Sequence, residues 1–333
     1  MFPNEDDVGY LIRTTTWFKK ILAARTATGY CLTEHMTVYA RQKLLLALVH
    51  GAGGSLAATD FQKLLFLYTR KWEPEPSFRF VPYRFGGVSF QSFADRKSLI
   101  DKGLLFPLER GEWKLTPKAA PYIPRELATR MKLFTTKAVK ERGDALIARA
   151  YREEPYYATR SEILDRVFPG KADRKSVMDA APDSGLQTAL FTIGYEGDSI
   201  DGYLDRLLRN RVALLCDVRR NPLSRKTGFS GRQLAGYCER VGILYRHLPD
   251  LGIPTERRRE LVTRADYDAL FEEYEREDLP KAGHAIEQLS RLLDEHSRIA
   301  LTCFEKEPEC CHRHCVAEEM ERKIPNCPAI NHL

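Results

Sequence analysis

Residues 213–225 read ALLCDVRRNPLSR. An apolar run of strand length breaks into charge at Asp217, and Pro222 then commits the chain to a loop. Three further segments share that layout: 190–197 (LFTIGYEG), 243–252 (ILYRHLPDLG) and 299–313 (IALTCFEKEPECCHR). Between them lie helical stripes. Ile200, Tyr203, Leu204, Leu207 and Leu208 follow the i, i+3, i+4, i+7, i+8 spacing, and Ala285, Ile286, Leu289, Leu292 and Leu293 form a second stripe. Ser230 with Gln233 three residues on predicts a capping box opening the helix after the second strand. Strand–helix alternation predicts an α/β fold, with a mostly parallel sheet covered by helices on both faces. Ligands of such sheets bind beyond the carboxyl ends of the strands. Four strands that each end in Glu, Asp, Arg, Ser or His therefore predict a site along that edge.

The chain has 333 residues, enough for two or three domains, with 43% hydrophobic and 29% charged residues, as in an ordinary folded protein. No apolar run approaches the roughly 20 residues that span a bilayer. The acidic start MFPNEDDVGY lacks the layout of a signal peptide. These features predict a cytoplasmic protein whose eight cysteines are thiols or metal ligands and not disulfides. A net charge of +6 leans toward a polyanionic partner, so the placement of the basic residues has to decide the matter.

The N-terminal third predicts three helices, over 38–50, 61–70 and 89–102, followed by a hairpin from 103–105 and 112–115 about a loop at 109–111. Three helices and a hairpin make a mainly helical, winged-helix-like domain over 1–124, a layout that often binds DNA. Residues 125–185 read as a charged helical connector to about 168 and then an irregular linker. The α/β domain occupies 186–333.

The ordered motifs TIGYEG, DVRRNPLSR, YRHLPDLG and CFEKEP with CHR resemble the domain-of-unknown-function family numbered 488, across roughly residues 190–333. That resemblance implies a compact α/β fold without specifying an activity. Residues 63–105, around VPYRFGGVSF, resemble the Panacea-type domain of some antitoxins.

Within the motifs, Asp217 is the principal carboxylate candidate, with Glu196 and Glu305 at the ends of two other strands. Arg219, Ser224 and Arg225 form a loop suited to gripping a phosphate, since Arg forks bind oxyanions in bidentate fashion. Arg313, in the CHR shared with the resembled family, adds another anion contact. Tyr195, Phe229 and Tyr245 offer rings for stacking, and His247 ends the third strand. Cysteine and histidine in CCHRHC (310–315), with Cys303 before it and Cys327 after, raise the question of zinc. The run has no CxxC pair, and adjacent Cys310 and Cys311 make poor joint ligands, so no metal or other cofactor is expected. Walker, GxGxxG, HExxH and GxSxG motifs are absent from the sequence.

Carboxylates, arginines and aromatics on one edge, beside a winged-helix-like domain and the basic run ERRRE at 256–260, predict a nucleic-acid-processing hydrolase acting on double-stranded DNA. The expected reaction is that of a DNA glycosylase removing a flipped base, plain or modified, in repair or antiviral defence. A metal-dependent phosphodiesterase or nuclease and a non-enzymatic DNA-binding regulator are the alternatives.

Overall fold

The computed structural model describes residues 37–108, 111–183, 187–258 and 261–333. The acidic N-terminal stretch, the tip of the 109–111 loop, the domain start at residue 186 and the end of the ERRRE run lie outside the described residues.

The C-terminal sheet follows from strict alternation. Strands β5 (Ala189–Gly194), β6 (Leu214–Asp217), β7 (Leu244–His247), β8 (Arg298–Cys303) and β9 (Ile330–His332) are all parallel, in spatial order β7-β6-β8-β5-β9. Leu190, Leu214, Cys216, Ile299 and Leu301 pack into one core, and Phe191, Ile193, Leu215 and Ala300 into another on the opposite face. Period-two side chains on a sheet buried from both sides require this division.

From β5 to β6 to β7 the chain moves one way across the sheet. Its helices α8 (Ile200–Arg209) and α9 (Gly231–Arg240) bury their stripes in the second core. From β7 to β8 to β9 it moves the other way. Then α10 (Arg264–Glu273), α11 (Gly283–His296) and α12 (Arg313–Lys323) fill the first core. With crossovers of constant hand, reversing direction changes the face that is covered. The loop after β8 thus leaves toward one face while the loops after its neighbours β6 and β5 leave toward the other. Such a switch point opens a crevice at the strand ends, the usual ligand position of doubly wound sheets.

The N-terminal part is mainly helical. It contains α1 (Ala40–Gly51), α2 (Ala58–Lys71), α3 (Phe90–Asp101), α4 (Arg125–Leu133), α5 (Gly143–Glu153), the single turn α6 (Leu164–Val167) and α7 (Lys171–Asp179). The expected wing is present as a bridge between Leu105 and Leu115, next to β4 (Trp113–Lys114). Its outer partner is β1 (Ser55–Leu56), antiparallel to β4. A second hairpin, β2 (Val81–Tyr83) with β3 (Gly86–Val88), separates α2 from α3. The ammonium of Lys63, fully enclosed and pushed by burial down to about 7, donates to the Gly87 carbonyl of that hairpin at 2.8 Å. The linker expected after 168 is instead partly helical, because Val177 of α7 joins a small cluster with Tyr151 and Phe168. No described helix is long and apolar enough to cross a membrane.

Val81, Val88 and Phe90 share the core of α8 and α9, so the hairpin and the start of α3 pack directly on the α/β sheet's helices. The central tie is Asp201 of α8. Its carboxylate accepts from the Phe90 and Gln91 amides at 2.6 and 3.0 Å and from the Ser89 hydroxyl at 2.8 Å. One helix thus supplies the N-terminal cap of another. Burial raises the Asp201 carboxyl from 3.8 to about 7, against the opposing pull of these hydrogen bonds.

Asp201→Ala strands two buried amides and is expected to lower unfolding free energy by about 2–3 kcal/mol in urea titrations. Because the folded-state pKa lies above the unfolded one, the Asp201 contribution is full below about pH 4 and is lost as pH rises through about 7. Stability measured across that range should fall with rising pH, and Asp201→Asn should flatten the decline.

Candidate functional site

The second strand ends in a closed network and not in a free base. Asp217 is fully buried, and both its oxygens are engaged. Arg219 donates from Nε to Oδ1 at 2.8 Å and from Nη2 to Oδ2 at 2.5 Å, and its amide reaches Oδ1 at 3.2 Å. Tyr245 on β7 donates its hydroxyl to Oδ2 at 2.7 Å. With two donors on each oxygen, Asp217 holds the loop and has little capacity left for a substrate.

Arg219 carries the network across the sheet. Its Nη1 donates to the Tyr195 hydroxyl at 2.7 Å and to the Phe229 carbonyl at 3.0 Å. Burial disfavours its charge, but the hydrogen bonds and charge of Asp217 outweigh this and hold the guanidinium ionised. Tyr195, just past β5, stacks on Phe229 with ring centroids 4.4 Å apart and planes 9° from parallel. Phe229 and Tyr195 are both buried, at 0% and 2% exposed, so the two rings back each other and neither offers the expected face for stacking on a base. His247 Nε2 donates to the Arg219 carbonyl at 2.8 Å, which fixes its tautomer.

The 218–230 loop folds on itself. The Ser230 hydroxyl donates to the Ser224 carbonyl at 2.9 Å and accepts from its amide at 3.2 Å. Ser230 therefore sits at the start of α9 without making the expected side-chain cap. The Ser224 hydroxyl accepts from the Lys226 amide, and Lys226 Nζ donates to the Tyr195 carbonyl at 2.8 Å. Arg225 is exposed on this loop, as is Arg220, which reaches Asp250 at 3.5 Å.

The ends of β5 and β8 are stapled together. The Tyr195 and Glu196 amides both donate to the Phe304 carbonyl, at 3.1 and 2.9 Å. A Cβ at Gly194 would collide with the Glu305 backbone carbonyl, which explains the glycine of TIGYEG. Glu196 is exposed, and its Oε2 accepts from the Lys306 amide at 3.1 Å. Glu305 is half-buried with Oε2 3.5 Å from the Cys303 sulfur. Phe304 stands edge-on to Tyr195 at 5.3 Å and is 42% exposed. Sequence reasoning missed Phe304, although it lies inside one of the quoted motifs.

Arg313 does not present a guanidinium at the surface. It is completely buried and donates to the Glu305 and Lys306 carbonyls at 2.5 and 2.8 Å, clamping the loop after β8. Cys311 is buried as well, and burial pushes its thiol well up, the reverse of an activated nucleophile. Cys303, Cys311 and His312 nonetheless converge, their ligand atoms within 4.8 Å of one another. Arg257 of the basic run is bound by Glu273, Glu277 and Asp278 and so adds little positive field. A concavity of 630 Å³ lies against α5, away from the sheet edge, and its Arg149 pairs with Glu141 and Glu153.

Breaking a buried pair leaves a charge without its partner. Asp217→Asn should therefore lower unfolding free energy by about 3–5 kcal/mol. Asp217→Leu combined with Arg219→Met should recover part of that loss in the same urea titration. Equal losses in the single and double variants would show that the pair is not what holds the loop.

None of the curated proteins and none of the solved structures compared matches the chain. The matching family model begins at the Ser199 cap of α8 and ends within α12, so it takes in Asp217, Arg219, Glu305 and the Cys-His-Arg run but not Tyr195, Glu196 or β9. It does not reach the Panacea-like stretch. Residues 199–320 match DUF488, a family described as a domain of unknown function.

Proposed function

We propose that the protein is a hydrolase acting on nucleic acid, and that its reaction is cleavage of an N-glycosidic bond at the switch-point edge. The observation that carries this reading is the placement of exposed Glu196 beside Tyr195 and Phe304, next to a loop bearing Arg220, Arg225 and Lys226. Hydrolysing a glycosidic bond needs a carboxylate to activate water and to stabilise an oxocarbenium ion. Glu196 is the exposed carboxylate at the crevice, whereas Glu305 turns inward to Cys303 and Asp217 is saturated. In this reading Asp217 and Arg219 are positioning residues that hold Tyr195 in place. The flipped base rests on Phe304, offsetting part of the few kcal/mol that unstacking costs. Arg220, Arg225 and Lys226 meet flanking phosphates.

The edge, and not α3, is the proposed contact surface. A helix-turn-helix reads bases with the N-terminal residues of its recognition helix. Here that end is capped by Asp201 and packed against α8. Double-stranded DNA is the favoured partner, in repair or antiviral defence. A cytoplasmic setting accords with described cysteines that are all outside disulfides.

The protein should release free base from duplexes carrying plain or modified bases, leaving alkali-labile sites; mass spectrometry of the supernatant and strand scission after alkali measure both. Glu196→Gln should reduce the rate about 100-fold or more while leaving the melting temperature unchanged. New strand ends without released base, abolished by chelation, would replace this reading with a metal-dependent phosphodiesterase.

A further inference from the structure

We propose that Cys303, Cys311 and His312 form the protein part of a binding site for a zinc-class divalent metal ion. This site is on the opposite face of the sheet from the Asp217 network and does not depend on the function proposed above. Cys303 is the last residue of β8 and shares its face with Ile299 and Leu301, whereas Asp217 follows the alternation of Leu215. Cys311 and His312 lie just before α12, brought back to the strand end by the clamp of Arg313 on residues 305–306.

Three observations support a metal here. The donor set is two thiols and an imidazole, the soft and borderline ligands that select zinc over magnesium or calcium. All three residues are at most 1% exposed, so an ion held by them is shielded from water. The geometry also fits. Zinc–sulfur and zinc–nitrogen bonds of about 2.3 and 2.05 Å at a tetrahedral angle place S and N roughly 3.6 Å apart. Cys303 Sγ lies 3.6 Å from His312 Nδ1, so one edge of the tetrahedron is already at length. The ligand atoms of the three residues span at most 4.8 Å, so a contraction of about 1 Å brings the sulfurs to the roughly 3.8 Å of a zinc dithiolate.

The imidazole is also oriented for the task. Its Nε2 lies 3.0 Å from the Val218 carbonyl, which can only accept, so Nε2 carries the proton and Nδ1 presents its lone pair to the cysteines. A ligating histidine that gives its other N–H to a backbone carbonyl is the usual outer-shell arrangement of zinc sites. Tyr274 stands edge-on to the same ring at 5.8 Å and screens it from solvent. Bound there, the ion ties the loop after β8 to the end of β6 through Val218, and so fixes the wall of the crevice from behind.

The full-length protein purified from zinc-replete culture should carry about one zinc per chain by elemental analysis. After the metal is stripped, titration with cobalt(II) should give thiolate-to-cobalt charge transfer and the intense visible bands of tetrahedral cobalt. Cys303→Ser, Cys311→Ser and His312→Ala should each weaken cobalt binding at least about tenfold, the size of effect that loss of even an outer-shell partner brings. Cys310→Ser, at a half-exposed position outside the set, should leave it unchanged. The cobalt spectrum of the unsubstituted chain needs no variant to fold. Absence of both zinc and cobalt–thiolate bands would overturn the site, as would an equal loss in Cys310→Ser.

Discussion

The pair Asp217–Arg219 is the interaction on which the candidate site depends. It joins the end of β6 to β5 through the Tyr195 hydroxyl, to β7 through the Tyr245 hydroxyl, and to its own loop through the Phe229 carbonyl. A buried ion pair is a weak source of net stability, because desolvating two charges costs about as much as their attraction returns. Its effect is on geometry. Both carboxylate oxygens and all three guanidinium nitrogens are committed to named partners, so the loop has one arrangement in which the charges are satisfied. Tyr195, which packs edge-on beneath the exposed ring of Phe304, is held in place as a consequence.

A second constraint sits one helix away. Asp201 of α8 caps α3, and Val81, Val88 and Phe90 complete the core beneath it. The helical part is therefore joined to the α/β part by buried polar and apolar contacts together. The surface that a free helix-turn-helix would offer to DNA is committed to this junction. The sheet edge, where Arg220 and Arg225 are exposed, is left as the proposed meeting place with nucleic acid.

Much of this was legible in the sequence. The runs ending at Gly194, Asp217 and Cys303 read as strands with polar ends because burial on both faces demands near-continuous apolar residues there, whereas the run ending at His247 lies at the sheet edge with its residues half-buried or exposed. Strand β9 was not legible: three half-exposed and exposed residues, Ile330–His332, pair only along one edge and carry no periodic signal. Helix α7 was missed because Val177 is its single buried residue. The candidate site was read in its location but less well in its roles. A sequence shows that Asp217 and Arg219 are neighbours, and cannot show that Tyr245, 28 residues on, fills the remaining lone pair. Arg313 looked like an anion contact because its two carbonyl partners are backbone atoms, which every residue has. The sequence places Cys303 and Cys327 on either side of CCHRHC without showing which of them meet; in the fold Cys303, from a strand end, lies against Cys311 and His312, from a helix start.

If the switch-point edge is the face that meets nucleic acid, duplex binding measured as a function of salt tests it directly, with the unsubstituted protein set against Arg220→Ala/Arg225→Ala. Each arginine neutralises one phosphate, so removing both should reduce the slope of log affinity against log salt by about 2. An unchanged slope, with binding abolished instead by substitutions elsewhere, would contradict this placement.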